Sequence, residues 1–244
     1  MYNQVYVQKS ACGPYFDVHL NTEQLQSTIH PYFLGEDNDI KVRTDYETFF
    51  SLTLIDSATF HQQLKSAVTF IIYDTLSNKK QNGKTVLYCT QQLLWFVDDT
   101  TNVESQSIYT YIGQLPALDQ YLMEGQFYEE MSYFFIDKQS GNTKATFSGM
   151  PYLSPDKKTI ITFDSNPYEM LGELVLYQLN SDNTITHRAS IYFDQWMPSP
   201  LGKIFWGADG NLYFNANTTA TYWDETGNFP TRFDYLKLTP SPNN

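Results

Sequence analysis

Short apolar segments separated by turn residues dominate the chain from Ser132 onward. The run Ser132 to Asp137 is followed by Lys-Gln-Ser-Gly at residues 138–141, a pattern that predicts a hairpin. Further on, a Ser-Pro-Asp sequence precedes the apolar run Thr159 to Asp164. Pro155 presets φ for a turn and Asp156 can bond the backbone that follows it, so this pattern predicts a second hairpin.

The same alternation continues to the C-terminal region. The polar turn Asn180 to Asn183 and the pair Asp209-Gly210, which tolerates positive φ, each separate two apolar runs and predict two more hairpins. The strands predicted in this region are Glu173–Gln178, Thr184–Phe193, Lys203–Trp206, Asn211–Asn215, Ala220–Asp224 and Asp234–Leu238.

The first half of the chain has less regular spacing. Ser57 to Lys65 and Leu115 to Met123 have helix-compatible content, and each predicts one or two helical turns. Strands are predicted at Gln4–Gln8, Tyr15–Leu20, Ile40–Asp45, Thr48–Ile55, Ala67–Asp74, Thr85–Thr90, Leu93–Asp98 and Ser107–Ile112.

Composition also favours strands. Of the 244 residues, 16% are aromatic, and aromatic side chains suit half-buried pleated surfaces. The length allows one large all-β domain or two small ones. We expect a single all-β domain over residues 1–244, with a subdivision near 115–131 as the alternative and a frayed tail at 239–244.

The segment Tyr133 to Gly141, followed by Pro151 to Lys158, resembles a blade junction in β-propellers of the TolB and WD40-like type. There, a D-x-x-[ST]-G turn ends one blade and an S-P-D-G-K turn begins the next. A weaker match to the same repeat pattern covers residues 199–214, so the resemblance spans about residues 132–238. It implies a propeller of about five irregular blades of about 40 to 50 residues each. Lys157 stands where the repeat usually has Gly, and a β-sandwich or an irregular two-sheet protein is the alternative.

The charge balance predicts the kind of partner. The chain carries 27 acidic residues against 15 Lys and Arg, a formal net charge of −12 without a long block of like charge. An acidic surface repels nucleic-acid phosphates and anionic lipids and attracts basic proteins. We expect a basic protein partner and no nucleic acid. We also expect no transmembrane segment, because the longest apolar stretch, Ala67 to Tyr73, is too short to span a bilayer.

The N-terminus and the cysteines bear on the cellular compartment. The N-terminus lacks the basic start and apolar run of a secretory signal, which fits a cytoplasmic protein or a mature periplasmic or secreted chain that has lost its signal peptide. Cys12 and Cys89 could form one disulfide, which would suit a periplasmic or secreted protein. Neither lies in a C-x-x-C pair, so redox and metal chemistry are not indicated.

The sequence has no strong catalytic or cofactor signature. It lacks a G-x-S-x-G nucleophile elbow, a phosphate-cradling Gly-rich loop and any paired histidine spacing for zinc. We therefore expect no cofactor and no metal, and a non-enzymatic role is favoured over an enzymatic one. The acidic turn Gly35 to Asp39 offers oxygen ligands for calcium but lacks the glycine and glutamate of an EF-hand loop.

Several carboxylates are candidates for glycoside chemistry, which needs two acids facing each other across a cleft. Adjacent residues of a strand point to opposite faces, which argues against Asp98-Asp99 and Glu129-Glu130 as catalytic pairs. The simpler interpretation is that these carboxylates are charges at turns and strand edges that discourage aggregation. The carboxylates considered are Asp98, Asp99, Glu129, Glu130, Asp164 and Glu169.

The favoured function is a non-catalytic acidic binding protein. Its loops would present carboxylates and aromatic rings to a basic protein, as an inhibitor or immunity-type partner would. The loops considered are Gly35–Asp39, Asp98–Glu104, Asn166–Leu171 and Gln195–Pro200. The binding residues predicted on them are Glu36, Asp37, Asp39, Asp98, Asp99, Tyr168, Glu169 and Trp196.

The alternative function is an extracytoplasmic carbohydrate-binding or glycoside-processing propeller. It depends on exposed tryptophans that stack on sugar faces, for which Trp95, Trp196, Trp206 and Trp223 are the candidates. Large aromatic side chains also fill β cores, so each of the four could instead be structural.

Overall fold

The computed structural model of the chain describes residues 20–26, 29–34, 40–42, 49–74, 78–166, 168, 171–223, 227–229 and 231–241. Strands dominate, which confirms the all-β prediction, and two short helices accompany them, α1 (Thr22–Gln26) and α2 (Ser57–Leu64). The strands are β1 (Ile29–Leu34), β2 (Ile40–Val42), β3 (Phe50–Ile55), β4 (Ala67–Val68), β5 (Lys84–Tyr88), β6 (Leu93–Val97), β7 (Ser107–Leu115), β8 (Gln120–Phe127), β9 (Met131–Asp137), β10 (Thr143–Phe147), β11 (Tyr152–Leu153), β12 (Thr159–Asn166), β13 (Leu171–Leu179), β14 (Ile185–Phe193), β15 (Trp196–Pro198), β16 (Ile204–Gly207), β17 (Leu212–Thr218) and β18 (Asp234–Pro240).

These strands form four antiparallel sheets, which we number I to IV. Sheet I is the hairpin β5–β6, and sheet II is the meander β7–β8–β9–β10. Sheet III has the order β11–β12–β13–β14–β1–β2. Sheet IV has the order β3–β18–β17–β16–β4, with β15 also paired to β17. None of the described sheets closes on itself, so the five-bladed propeller is not confirmed.

Each sheet packs against the next one along the chain. Leu87 of sheet I contacts Met123 and Ile136 of sheet II in one buried cluster. A second cluster joins sheets II and III, and the largest joins sheets III and IV. Neither described helix has the length and apolar character needed to span a bilayer.

The predicted turns form through short side-chain to backbone bonds. Asp137 Oδ1 accepts hydrogen bonds from Ser140 N at 2.6 Å and from Ser140 Oγ at 2.7 Å, which closes the turn between β9 and β10. Asp156 Oδ1 accepts from Lys158 N at 3.1 Å, as predicted for the Ser-Pro-Asp turn. Gly210 has a φ of +80°, which the Asp-Gly turn requires.

The helix predicted over Ser57 to Lys65 is confirmed as α2. It begins after Asp56, whose Oδ1 accepts a hydrogen bond from Thr59 N at 2.8 Å and so satisfies one of the free donors of the first turn. Its buried residue Phe60 packs on the outer face of sheet IV, with ring centroids 5.1 Å from Phe205 and 4.9 Å from Tyr235.

Several predictions differ from the structure, including the strand predicted over Ala220 to Asp224, where Thr219–Thr221 form a 3-10 turn. Residues 115–123 form a short 3-10 turn and then the first half of β8 rather than a helix, because β8 lies between β7 and β9 and its backbone groups pair with both. Of the strand predicted over Ala67 to Asp74, only Ala67–Val68 and a bridge at Ile72 form. Thr239 and Pro240 are predicted to lie in the frayed tail but pair with β3, and residues 242–244 lie outside the described part of the chain.

Candidate functional site

A groove of about 1260 Å³ lies where sheets II, III and IV meet. Three segments form its walls. They are the β8–β9 turn around Glu129, the end of β12 at residues 163–166, and the segment from Pro198 to Ile204 that links β15 to β16. A glycine allows the close approach of the wall segments, since a Cβ on Gly149 would lie 1.9 Å from the carbonyl oxygen of Phe163.

Three carboxylates from the described part of the chain line this groove. Glu129 and Glu130 lie in the tight turn between β8 and β9, which Phe127 N closes by donating to Glu130 O at 2.8 Å. Glu129 has a φ of +60°, so the pair does not follow the strand rule that sends neighbouring side chains to opposite faces. The strand rule, which argues against a catalytic pair, does not apply here because the turn brings both residues to the same groove. Asp164 lies across from them on β12.

The three carboxylates are exposed, and two of them have local hydrogen bonds. Ser132 Oγ donates to Glu130 Oε1 at 2.8 Å, and Ser165 N donates to Asp164 Oδ1 at 2.8 Å. Among the described residues that line the groove there is no Lys, Arg or His. The groove therefore holds uncompensated negative charge.

Phenol groups and a buried hydroxyl add hydrogen-bonding capacity. Burial, with the nearby Glu124 as a second cause, raises the pKa of Tyr133, and burial raises the pKa values of Tyr152 and Tyr222. All three phenols stay protonated at neutral pH. Ser199 is only 5% exposed, and its Oγ has no hydrogen-bond partner among the described residues. Such an unsatisfied group is costly unless a ligand or water bonds to it.

Of the predicted binding residues, Tyr168 lies at this groove. It is 92% exposed, and its N donates to Asn166 Oδ1 at 3.1 Å. Four of the other residues, Glu36, Asp37, Asp39 and Glu169, lie outside the described part of the chain.

Asp98 and Asp99 have structural contacts away from the groove. Asp98 forms an ion pair with Lys80 at 2.7 Å, and its Oδ1 accepts from Tyr109 N at 2.8 Å, which ties sheet I to sheet II. Asp99 accepts from Thr101 N and Oγ at 2.9 and 2.6 Å, and these bonds lower its pKa. Their role in binding stays a prediction.

Trp196 is not part of an exposed loop. Its side chain is 0% exposed and stacks between Phe193 and Phe214, with centroid distances of 4.1 and 5.6 Å. Residues 196–198 form β15, whose pairing with β17 draws the indole into the core between sheets III and IV. The predicted binding loop from Gln195 to Pro200 is therefore corrected to a buried strand followed by one groove wall.

The remaining tryptophans divide into buried and exposed ones. Trp206 is buried in the same core, and its Nε1 donates to Tyr152 O at 3.0 Å. Trp223 is 36% exposed and stacks on Phe229, whereas Trp95 is 55% exposed on sheet I.

Cys89 is half-buried and has no disulfide partner among the described residues, and burial, with Asp137 as a second cause, raises the pKa of its thiol. Cys12 lies outside the described residues, so the disulfide between them stays a prediction. In the described part of the chain, no group of three or more His, Cys, Asp and Glu side chains could hold a metal ion.

The fold and the groove together define an all-β protein with an acidic, aromatic-lined cleft. No protein family, curated protein or solved structure matches the chain.

Proposed function

We propose that this protein is a non-catalytic binding protein whose acidic groove takes a basic segment of a partner protein. The observation that carries the proposal is that Glu129, Glu130 and Asp164 share one groove whose described lining includes no basic side chain. Lys and Arg side chains of a partner would neutralise these charges, and the net charge of −12 would steer the partner toward the protein.

Apolar side chains at the groove supply the contact area that charge alone does not. Tyr168 and Met131 are exposed at the groove although both are large. An exposed tyrosine is a frequent anchor in protein interfaces because its ring buries a large area with little loss of rotamer freedom. We expect Tyr168 to cover the aliphatic part of a bound Lys or Arg.

The interior of the groove offers polar partners for an extended backbone. The protonated phenols of Tyr133 and Tyr152 line the groove and can hydrogen-bond to peptide groups. A basic loop of a toxin or hydrolase that enters such a groove would be blocked, so inhibition of the partner is one concrete form of this function.

We also propose a propeller architecture, which the order of the strands within the sheets supports. Sheet II is a four-stranded meander in chain order, as a blade is, and β11 to β14 repeat that pattern in sheet III. In sheet IV, β16, β17 and β18 are completed by β3 from the N-terminal half of the chain.

Binding of a fluorescein-labelled Arg-Ser repeat peptide, followed by anisotropy at low and moderate salt, tests the proposal. A groove variant, Glu129→Gln, Glu130→Gln and Asp164→Asn, should bind about tenfold more weakly. A control variant, Glu104→Gln, Asp119→Asn and Asp194→Asn, loses the same charge at exposed positions outside the groove lining. It should bind within about twofold of the original protein.

Tyr168→Ala provides a second readout that leaves the charge unchanged. Because the side chain is almost fully exposed, the variant should fold normally and bind the peptide several-fold more weakly. Equal weakening in the groove and control variants would show that net charge alone attracts the peptide, and the proposal would then be wrong.

A further inference from the structure

The outer face of sheet I is unusually apolar for a solvent-facing surface. The strands β5 and β6 turn Thr85, Leu87 and Phe96 toward sheet II, so their alternate residues face outward. The outward residues include Tyr88, Leu93, Trp95 and Val97, all of which are exposed. Contiguous exposed apolar residues on a sheet indicate a binding surface.

One side of this face is a shallow pocket of about 400 Å³ with a distinct chemistry. Trp95 and Tyr88 provide its aromatic surface, and the side chains of Gln81 and Asn82 provide amides. Asn82 is fixed by the tight turn that precedes β5, in which Lys84 N donates to Gln81 O at 3.0 Å and Asn82 and Gly83 have positive φ.

The pocket is cationic, although the chain as a whole has a net charge of −12. Lys79 and Lys84 line it, and its described lining contains no carboxylate. Neither lysine forms an ion pair with another described residue. Lys84 Nζ instead lies 4.1 Å from the centroid of the Trp95 ring. Asp98, which follows β6, is already paired with Lys80 and accepts from Tyr109 N.

These groups fit one ligand class. The C–H face of a pyranose ring packs on the negative face of an aromatic ring, and amide groups hydrogen-bond to sugar hydroxyls. Two lysines without carboxylate partners select a ring that also carries a negative charge. We propose that this pocket binds an acidic sugar, a pyranose with a carboxylate or sulfate group, which takes the place of Lys84 Nζ over the Trp95 ring and pairs with Lys84 and Lys79.

Single-stranded nucleic acid also uses aromatic rings and lysines, but it is a poorer fit. Its repeated phosphates would meet the field of a chain with a net charge of −12, whereas a short acidic sugar places one charge beside two lysines. This site does not depend on the acidic groove, because the two share no lining residue.

Calorimetry with a trigalacturonate, a triglucuronate and a sulfated galactose trisaccharide tests the proposal and separates carboxylate from sulfate. Binding of at least one of them is expected, with a blue-shifted or quenched tryptophan emission. The methyl ester of a binding uronate keeps the ring and removes the charge, and it should bind about tenfold more weakly. No binding of any of the three at millimolar concentration would overturn the proposal, as would tighter binding of a hexathymidylate.

Variants assign the binding to the pocket. Trp95→Ala should weaken binding about tenfold or more, and Lys84→Gln should weaken binding of the acidic sugar while leaving the methyl ester nearly unaffected. Trp223→Ala is the matched control, because Trp223 is the other exposed tryptophan and does not line the pocket. Equal affinity of the Trp95→Ala and Trp223→Ala variants, each with an unchanged circular dichroism spectrum, would show that the sugar binds elsewhere.

Discussion

Asp137 binds Ser140 twice, through Ser140 N at 2.6 Å and Ser140 Oγ at 2.7 Å, and these two bonds fold the chain from β9 into β10. The same bonds lower the pKa of Asp137. The charged carboxylate therefore stabilises the folded state above the pKa that it has in the unfolded chain, and this contribution is lost as the pH falls through the lowered pKa.

Replacing Asp137 should weaken the β9–β10 hairpin. Asp137→Ala removes both bonds and should lower the free energy of unfolding at neutral pH by about 1 to 2 kcal/mol in a urea titration. Asp137→Asn keeps an acceptor oxygen, so this variant should lose less unfolding free energy than the alanine variant. Its loss of stability should not change between neutral and mildly acidic pH. Equal stability of the alanine variant and the original protein would show that the turn forms without the carboxylate.

Lys157 occupies a position that favours glycine. Its φ is +60°, at the point where the resembling repeats have the glycine of Ser-Pro-Asp-Gly-Lys. A Cβ in this region costs about 1 kcal/mol, so Lys157→Gly should be more stable than Lys157→Ala by about 1 kcal/mol in thermal unfolding. The alanine variant is the control, because both variants lose the contact of Lys157 Nζ with the ring of Phe70. A more stable alanine variant would contradict the strained backbone.

Gly149 should not tolerate a side chain. A Cβ there would lie 1.9 Å from Phe163 O and 2.7 Å from Phe163 C, and both are backbone atoms that cannot rotate away. Gly149→Ala should therefore lower the free energy of unfolding by about 2 to 3 kcal/mol and weaken peptide binding at the adjoining acidic groove. The neighbouring exposed Ser148→Ala should change stability by less than about 0.5 kcal/mol.

His187 should make the protein less stable in mild acid. Burial lowers its pKa below the ordinary value, partly offset by Glu173, and Ser190 Oγ lies 3.1 Å from its Nε2. Between the lowered folded pKa and the unfolded pKa near 6.5, the unfolded chain binds more protons, so stability falls as the pH drops below about 6.5. Urea midpoints at about pH 7.5 and about pH 5.5 should differ less for His187→Gln than for the original protein. The same difference in both would assign the acid sensitivity to other groups.

Local signals in the sequence predict the hairpins β9–β10, β11–β12, β13–β14 and β16–β17, because each of these turns forms within a few residues, as at Asp137, Asp156 and Gly210. Strand β8 was not predicted, because its residues become a strand only through the pairing with β7 and β9.

The groove depends on long-range packing in the same way. Glu130 and Asp164 line one wall each only after sheets II and III have packed together. The burial of Trp196 depends on β17, more than ten residues later in the chain, and no pattern in the sequence around it distinguishes it from the exposed Trp95.

The pairing of β3 with β18 has a consequence for how the protein is made. Ile55 lies opposite Tyr235, so these two strands meet only when nearly the whole described chain has left the ribosome. Sheets I and II and strands β11 to β14 consist of neighbouring hairpins and can form earlier, as each leaves the exit tunnel. Until β18 arrives, β3 has an unpaired edge and the apolar residues Phe50 and Leu52 lack their final cover. The nascent chain therefore exposes these two apolar residues until β18 has been made and pairs with β3.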